Sequence, residues 1–345
     1  MKAYEYIRYG GPEVLRLADQ PDPEGEPTEI IVDVRAVGLN PIDVLQREGA
    51  FRFANPGRFP LVPGNEFSGT VSSVGSEVYG VAVGDAVYAR TDKARLGALA
   101  ERVAIRADLV APMPRSTDFT TAAAIPLAGS TALQSIRGAL AVGPGDSILI
   151  TAGSSMVGML AIQLAAHHGA RVAVTASAVN ASDLTSLGAE EVFDYHRHPD
   201  AEIPGTYTKI LDLVPGADLR ALLDRLRPGG RLVSVAATPT PGSIRHDYEM
   251  SAGRAVVLEA ALAVITARVR RYALKNGVHY QRLSMRPDGT DLRTLAELVD
   301  DGALSIPIDS RFPFPDAAAA FARVESRRAK GKVVVEIDAV GVGGG

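Results

Sequence analysis

The residues best suited to chemistry by type and spacing form one run, Ala152-Gly153-Ser154-Ser155-Met156-Val157-Gly158, where a short apolar stretch gives way to a helical pattern. A strand that enters a helix through such a turn presents unpaired backbone amides and the positive end of the helix dipole, while glycine lets an anion approach closely. That is the chemistry of a dinucleotide pyrophosphate. The usual three-glycine spacing is imperfect: taken at intervals of three residues, the positions are Ala152, Ser155 and Gly158, and only the last is glycine. By itself the run equally suits a plain tight turn, and the alternation of strands and helices around it favours the cofactor. Ser155 either crowds the pyrophosphate or donates a hydroxyl to it.

An NAD-selective site commonly places a carboxylate roughly 20 residues beyond the fingerprint, at the end of the second strand. Here that strand ends Val174-Thr175-Ala176-Ser177, and the next acid is Asp183. A 2′-phosphate would meet no resident negative charge, and Ser177 is placed to donate to it, a turn being the ordinary alternative for this serine. NADPH is therefore the expected cofactor.

These groups need a doubly wound parallel sheet to hold them. Residues 147–151 are apolar, residues 156–168 have helical periodicity stopped by Gly169, and residues 171–176 are apolar again, which is a βαβ unit. Runs at 183–187, 191–195, 209–214, 219–226 and 231–236 continue the alternation. The first third differs: short strand-like runs at 29–37, 69–74 and 86–89 are punctuated by Gly10-Gly11-Pro12, Pro63-Gly64 and Gly84-Asp85, and suggest a small barrel or folded sheet. Strand-like residues 305–314 and 332–337 flank an alanine-rich helix and read as a return to that first domain. The expected organisation is an α/β fold, with a Rossmann domain over residues 121–306 inserted in a discontinuous β-rich domain made of residues 1–120 and 307–345.

Composition narrows the function classes. A chain of 345 residues exceeds one ordinary core, and a net charge of -4 gives no reason to expect nucleic acid or an acidic membrane as partner. The local clusters Arg268, Arg270, Arg271 and Arg327, Arg328, Lys330 read as solvated helix faces. No leader-like apolar run opens the sequence and none is long enough to span a bilayer, so a cytoplasmic protein is expected. Zero cysteines exclude disulfides, thiolate nucleophiles and cysteine-ligated zinc.

Several segments together resemble the zinc-independent quinone oxidoreductase and enoyl reductase branch of the medium-chain dehydrogenase/reductase superfamily. They are Tyr9-Gly10-Gly11-Pro12-Glu13-Val14-Leu15, Val37-Gly38-Leu39-Asn40-Pro41-Ile42-Asp43, Pro63-Gly64-Asn65-Glu66-Phe67-Ser68-Gly69 with Val83-Gly84-Asp85-Ala86-Val87, the stretch from Ala123 to Ala132, and Gly331-Lys332-Val333-Val334. The resemblance implies a GroES-like catalytic domain and hydride transfer from NADPH to a quinone or an activated double bond. It places Asn40 and Asp43 on the substrate side, Thr131 toward the nicotinamide, Ser155 to Gly158 at the pyrophosphate, and Ser177 with Tyr195 at the adenosine phosphate. Ala236, Ala237 and Thr238 would approach the nicotinamide, and Lys332 is similar to a family lysine near the cofactor. Plainer roles stand beside these: turn formation for Asn40 and Asp43, half-buried packing for Tyr195, surface charge for Lys332.

Zinc-dependent relatives use cysteine and histidine ligands, and this chain has Asn65 where they have histidine. Without a Lewis acid the substrate must already accept hydride, which favours quinones and enones over plain ketones. Tyrosines that some relatives carry after the Asn-Pro-x-Asp segment are missing, leaving Asn40, Thr131 or water to donate a hydrogen bond. Leu45, Phe51 and Phe53 would line the substrate side, or belong to the core. A place in secondary metabolism goes with the quinone or enone reading, and an enoyl-thioester reductase and a non-catalytic nucleotide- or ligand-binding relative remain as alternatives. A homodimer is the expected assembly.

Overall fold

The computed structural model describes residues 1–52, 58–93, 95–241 and 252–338. Phe53 and the glycine-rich tail lie outside the described residues. The chain divides into two compact units, residues 131–286 and the segments on either side of them.

The first unit opens with the antiparallel pair β1 (Lys2–Tyr6) and β2 (Leu15–Asp19). It continues through β3 (Glu29–Leu39), α1 (Pro41–Arg47), β4 (Glu66–Val74), β5 (Ala86–Arg90), β6 (Arg102–Arg106), β7 (Val110–Pro112) and α2 (Phe119–Ala123) to the first residues of α3 (Pro126–Leu133), within which the second unit begins. Alternation makes β3 the centre of this unit, because Ile30, Val32, Val34 and Ala36 turn inward while Ile31, Asp33 and Arg35 are less buried. A core of Val32, Val34, Phe67, Val87, Leu99 and Val335 forms on the inner face.

The second unit runs β8 (Ser147–Ile150), α4 (Met156–His167), β9 (Arg171–Ala176), α5 (Ala181–Ser186), β10 (Glu191–Asp194), β11 (Tyr207–Asp212), α6 (Leu219–Asp224), β12 (Leu226–Ser234), α7 (Ala252–Lys275) and β13 (His279–Arg282). The six strands are all parallel in the order β10-β9-β8-β11-β12-β13. The chain first steps outward from β8 to β10 and then from β11 to β13. The reversal between β8 and β11 is the switch point at which open parallel sheets bind ligands beyond their carboxyl ends.

The chain returns to the first unit through α8 (Gly289–Asp300), β14 (Ile308–Pro313), α9 (Ala317–Glu325) and β15 (Lys332–Glu336). The seven-stranded sheet there runs β14-β15-β3-β4-β5-β7, with β6 paired to β3. The inner boundaries fall at 130/131 and 286/287, against the expected 120/121 and 306/307, because α8 packs on β5 and β7 and α2 on β3 and β4. Arg268, Arg270 and Arg271 are exposed on α7, as are Arg327 and Arg328 after α9. No described helix is long and apolar enough to cross a membrane.

Candidate functional site

The turn between β8 and α4 is built for close approach. Ala152 takes a left-handed backbone, φ 49°, at the position where glycine is usual. Its amide donates to Thr175 Oγ1 and the Gly153 amide to Thr175 O, which ties the turn to β9. A side chain on Gly158 would put its Cβ 2.5 Å from Ala152 O, so the helix can lie this close to the turn only with glycine there. Ser155 is the N-cap of α4, and its Oγ accepts from the Gly158 amide at 3.1 Å. Met159 N bonds Ser155 O, which leaves the Met156 and Val157 amides as the helix-start donors without an intrahelical partner. Ser155 caps the helix with a lone pair, a role not expected from the sequence, and its hydroxyl hydrogen stays open to the expected donation to an anion.

Ser177 is half-buried and begins a short 3-10 turn, Ala178–Asn180. Tyr195 is exposed and stacks on His196, with ring centroids 4.3 Å apart. The expected lack of a nearby carboxylate needs correction. Asp194 on β10 stands in register with Ala176 on β9, so an acid from the neighbouring strand reaches the same sheet end, where its Oδ1 accepts from His196 N. Exposed Arg197 follows it in sequence.

Ala236, Ala237 and Thr238 lie past the end of β12, which stops at Ser234. Ala237 N donates to Ser234 Oγ at 3.0 Å, and Ser234 Oγ donates to Asp212 Oδ2 at 2.7 Å. From the other side Thr151 Oγ1 donates to Asp212 Oδ1 at 3.0 Å. Sequence reading missed this buried trio, although a lone acid ending the apolar run Ile210, Leu211 is a visible signal.

In the first unit a second polar cluster gathers Asn40, Asp43, Asn65, Glu66 and Lys332, all buried. Asn40 caps α1 in a reciprocal box with Asp43. Asp43 Oδ2 accepts from Asn40 N and Oδ1 from Asn65 Nδ2, while Asn65 also donates to Gln46 Oε1. Burial pushes the Asp43 carboxyl up to about 6, against those hydrogen bonds and with Glu66 adding to the rise. Lys332 Nζ bonds Glu66 Oε1 at 2.6 Å and Asn40 Oδ1 at 2.7 Å, and Glu66 Oε2 accepts from Leu127 N at the start of α3.

Two corrections follow. Lys332 is 2 % exposed and ion-paired, so the surface-charge reading fails. Asn40 spends both amide hydrogens, on Glu66 Oε1 at 2.7 Å and on Gly38 O at 3.3 Å, which leaves it no free donor for a substrate oxygen. Glu66, the hub of the cluster, was not singled out from sequence. Thr131 is buried on α3, Phe51 is half-buried, and Leu45 is exposed on α1.

The cluster does not fit a zinc ion. Asn65 is committed to Asp43 and Gln46, and the cation held by Glu66 and Asn40 is the Lys332 ammonium. Among the described residues no group of three or more His, Cys, Asp or Glu side chains is arranged to hold a metal.

Known proteins share this plan. A family described as "Alcohol dehydrogenase GroES-like domain" matches residues 26–115, and one described as "Zinc-binding dehydrogenase" matches residues 187–335. The NADPH-dependent alkenal/one oxidoreductase of Arabidopsis thaliana chloroplasts is 32% identical over 346 residues, spanning 97% of this chain and 79% of that protein. The 2-methylene-furan-3-one reductase of Solanum lycopersicum is 31% identical over the same shares of both chains. The solved quinone oxidoreductase from Coxiella burnetii superposes with a TM-score of 0.82 at 31% identity, covering 97% of this chain and 99% of that one. With both domain families matched in order and near full-length relatives above 30% identity, the chain belongs to the medium-chain dehydrogenase/reductase superfamily, in its quinone oxidoreductase branch.

Proposed function

We propose that the chain is an NADPH-dependent reductase of quinones or α,β-unsaturated carbonyls that works without zinc. The observation that carries this reading is the β8–α4 turn. Free amides at Met156 and Val157, a left-handed Ala152 and an obligatory Gly158 stand at the carboxyl end of a parallel sheet, beside its switch point. Bound there, NADPH would supply a hydride.

The chain's own residues account for the rest. Met156, Val157 and the Ser155 hydroxyl would bind the pyrophosphate, and Ser177 with Arg197 would meet the 2′-phosphate despite Asp194. The second unit thus holds the cofactor, while the Asn40 cluster fixes the α1 and α3 starts. Because the Asn40 cluster suits no zinc ion and no other acid or histidine group among the described residues is arranged for a metal, the substrate must carry its own electrophilicity, as a quinone or enone does. The names of the Arabidopsis and Solanum relatives favour an enone. With both Asn40 hydrogens spent, water would donate to the developing oxyanion. Within the described chain β13 has a strand partner on one side only, which supports pairing of two copies along its other edge.

The test is consumption of NADPH by purified protein against benzoquinone, a linear enone and an enoyl thioester. Turnover with the enone or the quinone supports the proposal, and turnover restricted to the thioester transfers it to enoyl reduction. Silence with all three, from folded protein that binds NADPH, would leave only a binding module.

A further inference from the structure

We propose that Asp212 is a positioning residue that locks together the two cofactor-facing segments of the second unit, residues 152–158 and residues 236–238. The inference rests on reading those segments as the NADPH site. Its physical basis is a single carboxylate shared by the ends of three adjacent strands. Asp212 closes β11, Thr151 follows β8 immediately before the turn, and Ser234 closes β12 two residues before Ala236. All three side chains are essentially inaccessible, at 0 %, 1 % and 0 % exposure.

The hydrogen bonds run in two arms from the carboxylate. One arm reaches Thr151, whose Oγ1 donates to Asp212 Oδ1 and accepts from Leu213 N at 2.8 Å. The other reaches Ser234, whose Oγ donates to Asp212 Oδ2 and accepts from Ala237 N. A chain of bonds therefore connects the residue before the pyrophosphate turn with a backbone amide of the nicotinamide segment. Asp212 also accepts from Val214 N at 3.1 Å, a local turn bond. That local bond needs only one oxygen and no neighbour strand, so it does not explain the two hydroxyls aimed from β8 and β12.

A buried carboxylate is a costly choice for this position. Burial raises its pKa, and the bonds from Ser234, Val214 and Thr151 oppose that rise. Apolar residues would fill the same space, as they do one same-face step earlier, where Ile210 sits fully buried between Leu149 and Leu232. What an apolar residue cannot do is fix two loop segments relative to each other with directional bonds.

The experiment compares NADPH with 2′-phospho-ADP-ribose, which keeps the pyrophosphate and phosphate but lacks nicotinamide, by calorimetric titration of the full chain. Ser234→Ala cuts only the arm to Ala237. It is expected to weaken NADPH by about tenfold and leave the fragment within about twofold of wild type. Asp212→Asn loosens both arms and is expected to weaken both ligands by about tenfold. The Ser234→Ala, Asp212→Asn double variant should be no weaker than Asp212→Asn alone. Equal effects of Ser234→Ala on both ligands, or wild-type affinities in Asp212→Asn, would overturn the inference. Wild-type protein that binds neither ligand would instead remove the cofactor reading beneath it.

Discussion

Replacing Gly158 by alanine tests the cofactor turn at its tightest point. The new Cβ would stand 2.5 Å from Ala152 O, 2.8 Å from Gly153 O and 2.9 Å from Gly153 C, where ordinary contact begins at 3.4 Å. All three atoms are backbone, so no flexible side chain can swing away. Ala152 is already left-handed at φ 49°, and Gly153 cannot retreat toward β9 because its own Cβ position is 2.9 Å from Val174 Cβ. Overpacking of this kind costs about 1–3 kcal/mol, and rigid neighbours place it near 3. If the turn yields by shifting, that energy is lost from cofactor binding, a factor of roughly 100–200 in Kd. If it does not yield, the strain appears as lost stability of the second unit. NADPH titration by calorimetry, with a thermal melt of the same sample, reads both. A variant with an unchanged melting temperature and a Kd within threefold of wild type would refute the reasoning.

Other perturbations address the remaining parts of the site. Ser177→Asp puts a carboxylate at the end of the second strand, and should weaken NADPH by about tenfold or more while NADH binding holds or improves; equal loss for both cofactors would contradict the assignment of that sheet end. Asp43 makes stability fall with rising pH. Its folded pKa of about 6 lies above the ordinary 3.8, so the folded state keeps a proton that the unfolded state has lost between those values. The contribution is complete below the unfolded pKa and lost as pH rises through about 6, a change of about 3 kcal/mol. Urea unfolding of wild type and Asp43→Asn should show their stability difference shifting in favour of the variant across that window, and a pH-independent difference would remove the claim. Lys332→Met strands the Glu66 carboxylate and should cost about 3–5 kcal/mol, most of it regained in the Lys332→Met, Glu66→Gln double variant; chemical denaturation of the three proteins checks this.

How much of this could be read in advance depends on range. The β8 and β9 runs are buried along nearly their whole length and mostly apolar, Ile148 to Ile150 and Val172 to Val174, as strands covered on both faces are, and they located the βαβ unit and its turn directly. α7 gave no such signal, because Val256, Val257, Val264 and Ile265 are exposed and blur any buried stripe. Lysine is rarely buried, so Lys332 read as surface charge; its partners Asn40 and Glu66 lie 292 and 266 residues away in sequence. Asp194 escaped for a similar reason, since only the register between β9 and β10 brings it to the adenosine end. Asn40 read from the sequence as a substrate-side residue or a turn former; that it caps α1, and which of its hydrogens were free, depended on Gly38 and Glu66 geometry that spacing does not encode.

The most direct measurement is the fate of the transferred hydrogen. NADPH deuterated at its transferable position is incubated with chelator-treated protein and a linear enone, and the product is analysed by mass spectrometry. Zinc-free hydride transfer puts one deuterium on the β-carbon and leaves the turnover rate unaffected by the chelator. Unlabelled product, or activity that disappears with the chelator and returns with zinc, would contradict it.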